Sequence, residues 1–409
     1  MTFTLSSRQL VDIARRMHRD LLVGLERDGT DLLCTPTYLP GHGRYRPGKA
    51  LALDLGGTNV RCAVVSLADH GKFEIDKGPI SEAIPLSRNK GVAREPFLDF
   101  LIRMIRQLDP PRGLPLGFCF SYPARPTPDG DAVILDWTKE LFVSDTIGSK
   151  AGDLLLSRVR RSDPGLIGDD VFVINDTVAT LLAGRVSFDA EGYIGLIVGT
   201  GTNMAVLLPA AAIPKIRQTD WPEVLFPVNL ESGNFHPPHL TGLDDALDAT
   251  SRNPSRHRFE KAVSGVYLPY LFNQACPGST LNPGRGAAPL FEIAYSSRQG
   301  AEGDKPYSRE AVIARQIIER SAGLTAAALA GVIAFLRVAL ATASVCITAE
   351  GGLFYAHPRY QETVTATLKS LQYKMALKDI SINFHSIAHA NLLGCAQAGL
   401  SPPLKHQSV

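Results

Sequence analysis

An α/β fold with mixed sheets, large enough for two domains, is what this 409-residue chain predicts. Short apolar strands alternate along it with segments of helical spacing. A strand, a glycine turn and a second strand occur twice, around Gly56-Gly57 and around Gly199-Thr200-Gly201, which suggests an internal duplication with one such turn per half. Single hydrophobic cores stop growing beyond about 250–300 residues, so a chain of this length divides.

Taken in order, Ser6 and Ser7 offer caps for a helix whose apolar positions Leu10, Ile13, Ala14, Met17, Leu21, Leu22 and Leu25 keep helical spacing until Gly29. Residues 30–49, punctuated by Pro36, Pro40, Gly41, Gly43, Pro47 and Gly48, read as an extended connection into a strand pair at 50–66. A helix at 91–109, a strand at 114–121, a turn-rich stretch at 122–131 and a helix at 150–161 follow. The buried strand 171–174 ends in Asn175-Asp176-Thr177, helical spacing returns at 177–186, and the second strand–turn–strand unit spans 193–208. Helical segments at 256–274 and 309–340 flank a Pro/Gly/Ser-rich loop at 277–287. A strand at 344–348, a helix from His357 and a strand–helix pair at 381–399 complete the chain.

Charge points to no partner, so neither nucleic acid nor a membrane is expected. With 42 Lys+Arg against 40 Asp+Glu there is no electrostatic footprint for nucleic acid or an acidic membrane. Cys34, Cys62, Cys119, Cys276, Cys346 and Cys395 are scattered without a C-x-x-C pair, several in apolar runs, which fits a reduced, cytoplasmic compartment. Residues 1–20 lack an apolar core and carry Arg8, Asp12, Arg15, Arg16, Arg19 and Asp20, unlike a secretory signal. The one membrane candidate, 321–348, is interrupted by Arg337, a residue that costs about 2.5–3.5 kcal/mol near a bilayer centre, so a buried helix followed by a buried strand is expected instead.

The chemistry begins at the first turn. Gly56 and Gly57 let the backbone bend tightly and aim N–H groups at an anion, while Thr58, Asn59 and Arg61 add donors and charge. Asp54 beside a phosphate makes sense if Mg²⁺ stands between them, reached through water, since this ion keeps most of its waters and takes one or two carboxylates. An ordinary hairpin with a glycine turn has the same local pattern. Asp176, at the C-terminal end of a buried strand, is placed where ligands bind in open α/β sheets and is a candidate general base, with N-capping of the next helix as its other reading. Thr138 and Lys139 could present donors to a polyol, the other reading being Trp137 as an aromatic anchor with a solvated lysine; Glu231 and Glu260 sit beside apolar neighbours, either as hydroxyl acceptors or as ordinary surface charges.

In series these residues resemble the hexokinase family of the actin-like sugar-kinase superfamily. The resemblance is colinear over roughly 50–360 and rests on Asp54-Leu-Gly-Gly-Thr-Asn59 with Arg61, Phe118-Cys-Phe-Ser-Tyr-Pro123, Asp136-Trp-Thr-Lys139, Asn175-Asp-Thr177, Gly199-Thr-Gly-Thr-Asn203, Asn229 with Glu231, Phe259 to Leu268, and Gly351-Gly-Leu-Phe-Tyr-Ala-His-Pro358. It implies a two-domain actin-like ATPase (ribonuclease H-like) fold with a cleft, the small domain taking 50–175 and about 390–403, the large one 1–49 and 176–389. It implies MgATP-dependent phosphorylation of a hexose, glucose foremost, at the 6-hydroxyl. Asp176 would be the base, with Lys139 and Arg61 assisting; Ser121, Thr138, Lys139, Asn175, Asp176 itself, Asn203, Glu231 and Glu260 would hold the sugar. Asp54, Gly56, Gly57, Thr58, Asn59, Arg61, Gly199, Thr200 and Gly201 would embrace the triphosphate, with Gly351, Gly352 and Leu353 near the adenosine.

Two departures stand out. The family's Glu-Trp-Gly-Ala-Phe is here Glu231-Ser-Gly-Asn-Phe235, and its late acidic Gly-Ser-Gly turn has no counterpart in Ser386-Ile-Ala-His-Ala-Asn-Leu-Leu-Gly394. They motivate a second reading, a sugar-sensing homologue with weak catalysis. A sugar-independent ATPase of the same superfamily is a third, which leaves the motifs at 118–139 and 228–235 unexplained. Monomer and homodimer both remain open.

Overall fold

The computed structural model describes residues 3–39, 46–68, 71–85, 91–138, 141–216, 224–295 and 308–401. Helix α1 (Ser7–Glu26) opens on a capping box: Ser6 Oγ accepts the Gln9 N–H at 3.3 Å and Gln9 Oε1 accepts the Ser6 N–H at 2.9 Å. After the two-residue strand β1 (Thr35–Pro36), β2 (Gly48–Leu55), β3 (Asn59–Leu67) and β4 (Phe73–Ala83) form an antiparallel meander. Two strands, β6 (Leu116–Phe120) and β10 (Val171–Ile174), add in parallel on the other side of β2, so the first sheet runs β10-β6-β2-β3-β4.

The second half repeats the plan. Strands β11 (Gly192–Val198), β12 (Thr202–Pro209) and β13 (Leu225–Asn229) form a meander, and β14 (Ser344–Glu350) and β15 (Ser381–His385) add in parallel beside β11. With β1 appended on the far edge, the order is β1-β13-β12-β11-β14-β15. The duplication expected from two glycine turns is thus a duplication of whole sheets. Two small ribbons, β5 (Gly91–Val92) with β9 (Phe142–Val143) and β7 (Ala124–Pro126) with β8 (Ala132–Ile134), decorate the first half.

Side-chain alternation assigns each sheet face. Leu51, Leu53 and Leu55 of β2 point into a core with α2 (Arg94–Gln107) and α3 (Ala151–Ser162), while Ala50 and Ala52 point the other way, into a central layer. That layer is made by α4 (Asp176–Ser187), which follows β10, and by α12 (Ala390–Gly399), which follows β15. Each helix follows one sheet and packs on the other. Small residues make this close approach possible: a Cβ on Gly117 of β6 would fall 1.7 Å from the Cys395 carbonyl of α12, and one on Gly184 of α4 would fall 1.8 Å from Thr348 Oγ1 of β14. The two helices also meet each other, at Gly394 and Ala179.

The outer face of the second sheet is covered by α1 and by α9 (Arg309–Leu340). Helix α9 matches the expected 309–340 and is long and apolar enough to cross a membrane, yet most of its apolar window is buried in this core, followed by buried β14 as anticipated. Around it lie α5 (Gly242–Thr250), α6 (Arg258–Val263), α7 (Leu268–Ala275), α8 (Ala288–Tyr295) and α11 (Pro358–Lys374), with the single turn α10 (Gly352–Tyr355) following β14. Strand β4, absent from the sequence reading, has no fully buried residue: its apolar alternation at Phe73 and Ile75 stops at Asp76-Lys77-Gly78, too short a run to mark a strand. All six cysteines are free and buried.

Candidate active site

The parallel strands end together. In the first sheet Asp54 of β2 and Ile174 of β10 both pair with Cys119 of β6, so Asp54, Ser121 and Asn175-Asp176 emerge at one edge. Asp54 pairs with Arg61 across the turn, and Arg61 Nη1 stands 4.0 Å from Asp54 Oδ2. The turn between them is closed by Gly56 N–H donating to the Asn59 carbonyl at 3.0 Å, and Tyr122 Oη donates to the Gly56 carbonyl at 2.9 Å. Thr58 and Asn59 are exposed and Gly56 and Gly57 half-buried. Behind the turn, Tyr122 and Trp137 pack with their rings 4.9 Å apart, and Trp137 Nε1 donates to Thr146 at 2.8 Å, making this tryptophan the anchor expected of it. Thr138 beside it is half-buried; Lys139 lies outside the described residues.

Asp176 does not cap α4. Asn175 does: its Oδ1 accepts the Thr177 N–H at 2.8 Å, and Asp176 is the first helical residue. Asp176 Oδ1 accepts from Thr177 N at 2.8 Å and from Thr177 Oγ1 at 3.2 Å, which orients the carboxylate on a half-buried helix start. A third acid, missed by the sequence reading, joins from the other sheet. Glu350 ends β14, opposite Ile197 of β11, and its carboxyl is pushed up to about 7 by burial, with the charges of Asp54 and Asp176 adding and Arg61 opposing. Its signal in sequence was a strand-terminal acid just before Gly351-Gly352, the arrangement already noted at Asp54.

Burial raises the Asp54 carboxyl above its usual range and the Asp176 charge adds to this; the Cys119 thiol, Arg61 and the Asn391 amide oppose it. Asp54 Oδ1 is buried with no hydrogen-bond partner among the described residues. Such an orphaned carboxylate oxygen among neighbouring acids fits a cation brought to it. No group of three His, Cys, Asp or Glu among the described residues is placed to hold a metal ion. Asn391, in the first turn of α12 where the family's glycine turn is missing, also accepts a hydrogen bond from Thr180 of α4 at 3.2 Å.

The second glycine turn faces the same edge. Gly199 N–H donates to the Gly201 carbonyl at 2.8 Å, and a Cβ on Gly199 would stand 3.3 Å from Gly351 Cα and from Gly352 N. Gly351 holds φ +110°, and a Cβ there would meet the Val198 carbonyl at 2.3 Å, so glycine is demanded twice over. Gly199 is therefore brought against Gly351 and Gly352.

The polar set around β12 and β13 is also connected. Asn203 Nδ2 donates to Asn229 Oδ1 at 2.8 Å, Asn229 Nδ2 donates to Glu231 Oε1 at 2.8 Å, and Asn203 Oδ1 accepts the Ser232 N–H at 3.0 Å. Glu260 Oε2 accepts the Thr202 N–H at 3.1 Å, and a Cβ on Gly201 would stand 2.7 Å from it. Glu231 and Glu260 are half-buried acceptors, not surface charges. Ser232, in place of the family's tryptophan, is wholly buried with no partner for its Oγ among the described residues.

Helix α6, which carries Glu260, is anchored to α5 by buried ion pairs. Arg320 of α9 makes two bonds to Asp244 of α5, at 2.6 and 2.8 Å; Asp248, one turn on, receives Lys261 Nζ at 2.6 Å and Arg258 Nη1 at 3.1 Å from α6. Burial acts to raise the Asp244 carboxyl, but the bonds and charge of Arg320 outweigh it and leave it below its usual range.

Glu350 carries a pH prediction. Because its folded value is raised from 4.5 to about 7, the folded protein holds a proton that the unfolded chain releases, and this contribution to stability is lost as pH rises through that window. Glu350→Gln is expected to make the ligand-free protein more stable than wild type at pH 8, by on the order of 1–3 kcal/mol, with the gap closing near pH 4.5. Urea unfolding at several pH values measures it, and parallel curves for the two proteins would remove Glu350 from the buried acid cluster.

Duplicated sheets whose glycine turns and strand-end acids face one cleft define the actin-like ATPase fold in its sugar-kinase form. The chain belongs to the hexokinase family: hexokinase family models match residues 1–186 and then 193–277 with 304–401. Hexokinase-1 of Mus musculus is 27% identical over 417 residues, covering 91% of this chain and 42% of that protein, so the chain spans less than half the length of that relative. Among solved structures, a hexokinase from Schistosoma mansoni complexed with glucose superposes with a TM-score of 0.78 at 23% identity, covering 97% of this chain and 96% of that one. A ROK hexokinase from Thermus thermophilus gives 0.56 at 18% identity, over 86% of this chain and 97% of that one.

Proposed function

We propose that this chain transfers the γ-phosphoryl group of ATP to the 6-hydroxyl of a hexose, glucose foremost, with Asp176 as general base. The observation that carries the proposal is the placement of Asp176: a half-buried carboxylate at the start of α4, oriented by Thr177 and near enough to Asp54 for its charge to act there.

Phosphoryl transfer asks mainly for positioning, charge neutralisation and a placed base. In this reading Asn203, Glu231 and Glu260 accept or donate to the sugar hydroxyls from one side, and Ser121, Thr138, Lys139 and Asn175 from the other. Asp176 takes the proton of the 6-hydroxyl as its oxygen bonds to the γ-phosphorus; the bond to the bridging oxygen breaks, and the electron pair leaves on ADP. Arg61, Thr58, Asn59 and the N–H groups of the two turns hold the triphosphate, with Lys139 supplying a further positive charge. Gly351, Gly352 and Leu353 lie against the adenosine. Mg²⁺ carried with ATP neutralises phosphate charge, and Asp54 would hold it through water. Closure of residues 50–175 with 390–403 over the remainder would exclude water once sugar is bound.

A coupled assay of purified protein with glucose and MgATP, then with other hexoses and donors, tests the reading. Sugar-dependent ADP release is expected. Hexose binding without turnover for any sugar and donor would point instead to a sugar sensor, and ATP hydrolysis indifferent to sugar would point to an ATPase of the same fold.

A further inference from the structure

Outside the cleft, one cavity has no role in phosphoryl transfer. It has a volume of about 620 Å³ and lies between α1, the loop at Pro238 and His239, and the end of α11 at Met375. Helix α1 sends Asp12, Arg15, Arg16 and Arg19 into it, spaced i, i+3, i+4 and i+7, so they share one face. Two acids lie nearby, and one of them, Asp12, is itself in the lining. Asp20 takes Arg16 Nε through both oxygens, at 2.7 and 2.9 Å, and Asp12 lies 3.5 Å from His239 Nε2.

Arg15 and Arg19 have no carboxylate partner among the described residues. As like charges four residues apart on one helix they repel, at a cost of about 0.2–0.5 kcal/mol. Their support is rigid: α1 packs so tightly on α9 that a Cβ on Gly331 would stand 2.4 Å from the Ala14 carbonyl, and Met17 is fully buried. Two guanidiniums with no carboxylate partner among the described residues, on a fixed helix above a cavity whose volume falls in the roughly 300–1,000 Å³ range of small-molecule sites, match an anion with several oxygens. Guanidinium forks favour phosphate, and Pro238 with Met375 offers apolar wall to the remainder of such a molecule.

We propose that this cavity is a binding site for a small phosphorylated anion, held by Arg15 and Arg19 and separate from the cleft of Asp176. None of its lining residues belongs to the cleft, so the proposal stands or falls independently of sugar phosphorylation.

Inorganic pyrophosphate is the probe, titrated calorimetrically at low salt into the whole chain, into Arg15→Gln/Arg19→Gln and into Arg61→Gln, a change in the cleft. Binding by wild type that weakens at least tenfold in the double variant and persists in Arg61→Gln is expected. Equal binding by the double variant, no binding by wild type, or citrate binding as tightly as pyrophosphate would each overturn the proposal. Both arginines are exposed and glutamine is a good helix former, so the double variant is expected to melt as wild type does, which circular dichroism checks.

Discussion

Asp176→Ala is expected to retain measurable hexose binding while turnover falls by about 10²–10⁴-fold, the usual contribution of a placed base. Binding survives because the Asn203–Asn229–Glu231 chain and Glu260 are built on β12, β13 and α6, and none of their bonds passes through Asp176. Turnover falls because the proton of the attacking hydroxyl has lost its acceptor. Asp176→Asn sharpens the test: the amide oxygen can still accept from Thr177, so the start of α4 keeps its shape, yet the side chain takes up no proton. Calorimetry with glucose and a coupled assay for ADP separate the two effects. Near-wild-type turnover in either variant would place the base elsewhere, and loss of sugar binding in both would make Asp176 a sugar ligand first.

The second large effect concerns stability. Arg320→Met is expected to cost about 3–5 kcal/mol, because it leaves Asp244 as a buried charge without its partner. Arg320 and Asp244 are 1% and 4% exposed at their side chains, so water does little to replace the lost bonds. The double variant Arg320→Met/Asp244→Leu is expected to recover most of the loss, since apolar groups of similar size often replace a buried pair at little cost. Denaturant midpoints for the three variants complete the cycle. A single-variant loss below about 1 kcal/mol, or a double variant as unstable as the sum of the singles, would show that the pair is not a closed unit. Since Asp244 and Asp248 share α5, and Asp248 binds the helix that carries Glu260, a weaker sugar affinity in Arg320→Met is expected to accompany the lower stability.

Much of this was legible in the chain. The two glycine turns, the strand ending in Asn175-Asp176 and the long helix at 309–340 are local features, written in turn chemistry and hydrophobic spacing, and the structure places each where the sequence put it. The cap of α4 was misassigned by one residue because Asn and Asp are about equally good caps, and only backbone geometry distinguishes Asn175 from Asp176. Strand β4 escaped because none of its residues is fully buried, and Glu350 because its burial, and then the charges of Asp54 and Asp176 far away in sequence, set its environment.

What the sequence by itself determined is the set of local conformations and the family: which segments are strands, where glycine permits a turn, which acids stand at strand ends. Only the tertiary structure decided how the halves meet. The exchange of α4 and α12 between the sheets, allowed by Gly117, Gly184 and Gly394, turns two edges toward one cleft and brings Glu350 to Asp54. Periodicity reports which face of an element is buried; it carries no information about the partner that buries it, and that partner raises the carboxyls of Asp54 and Glu350.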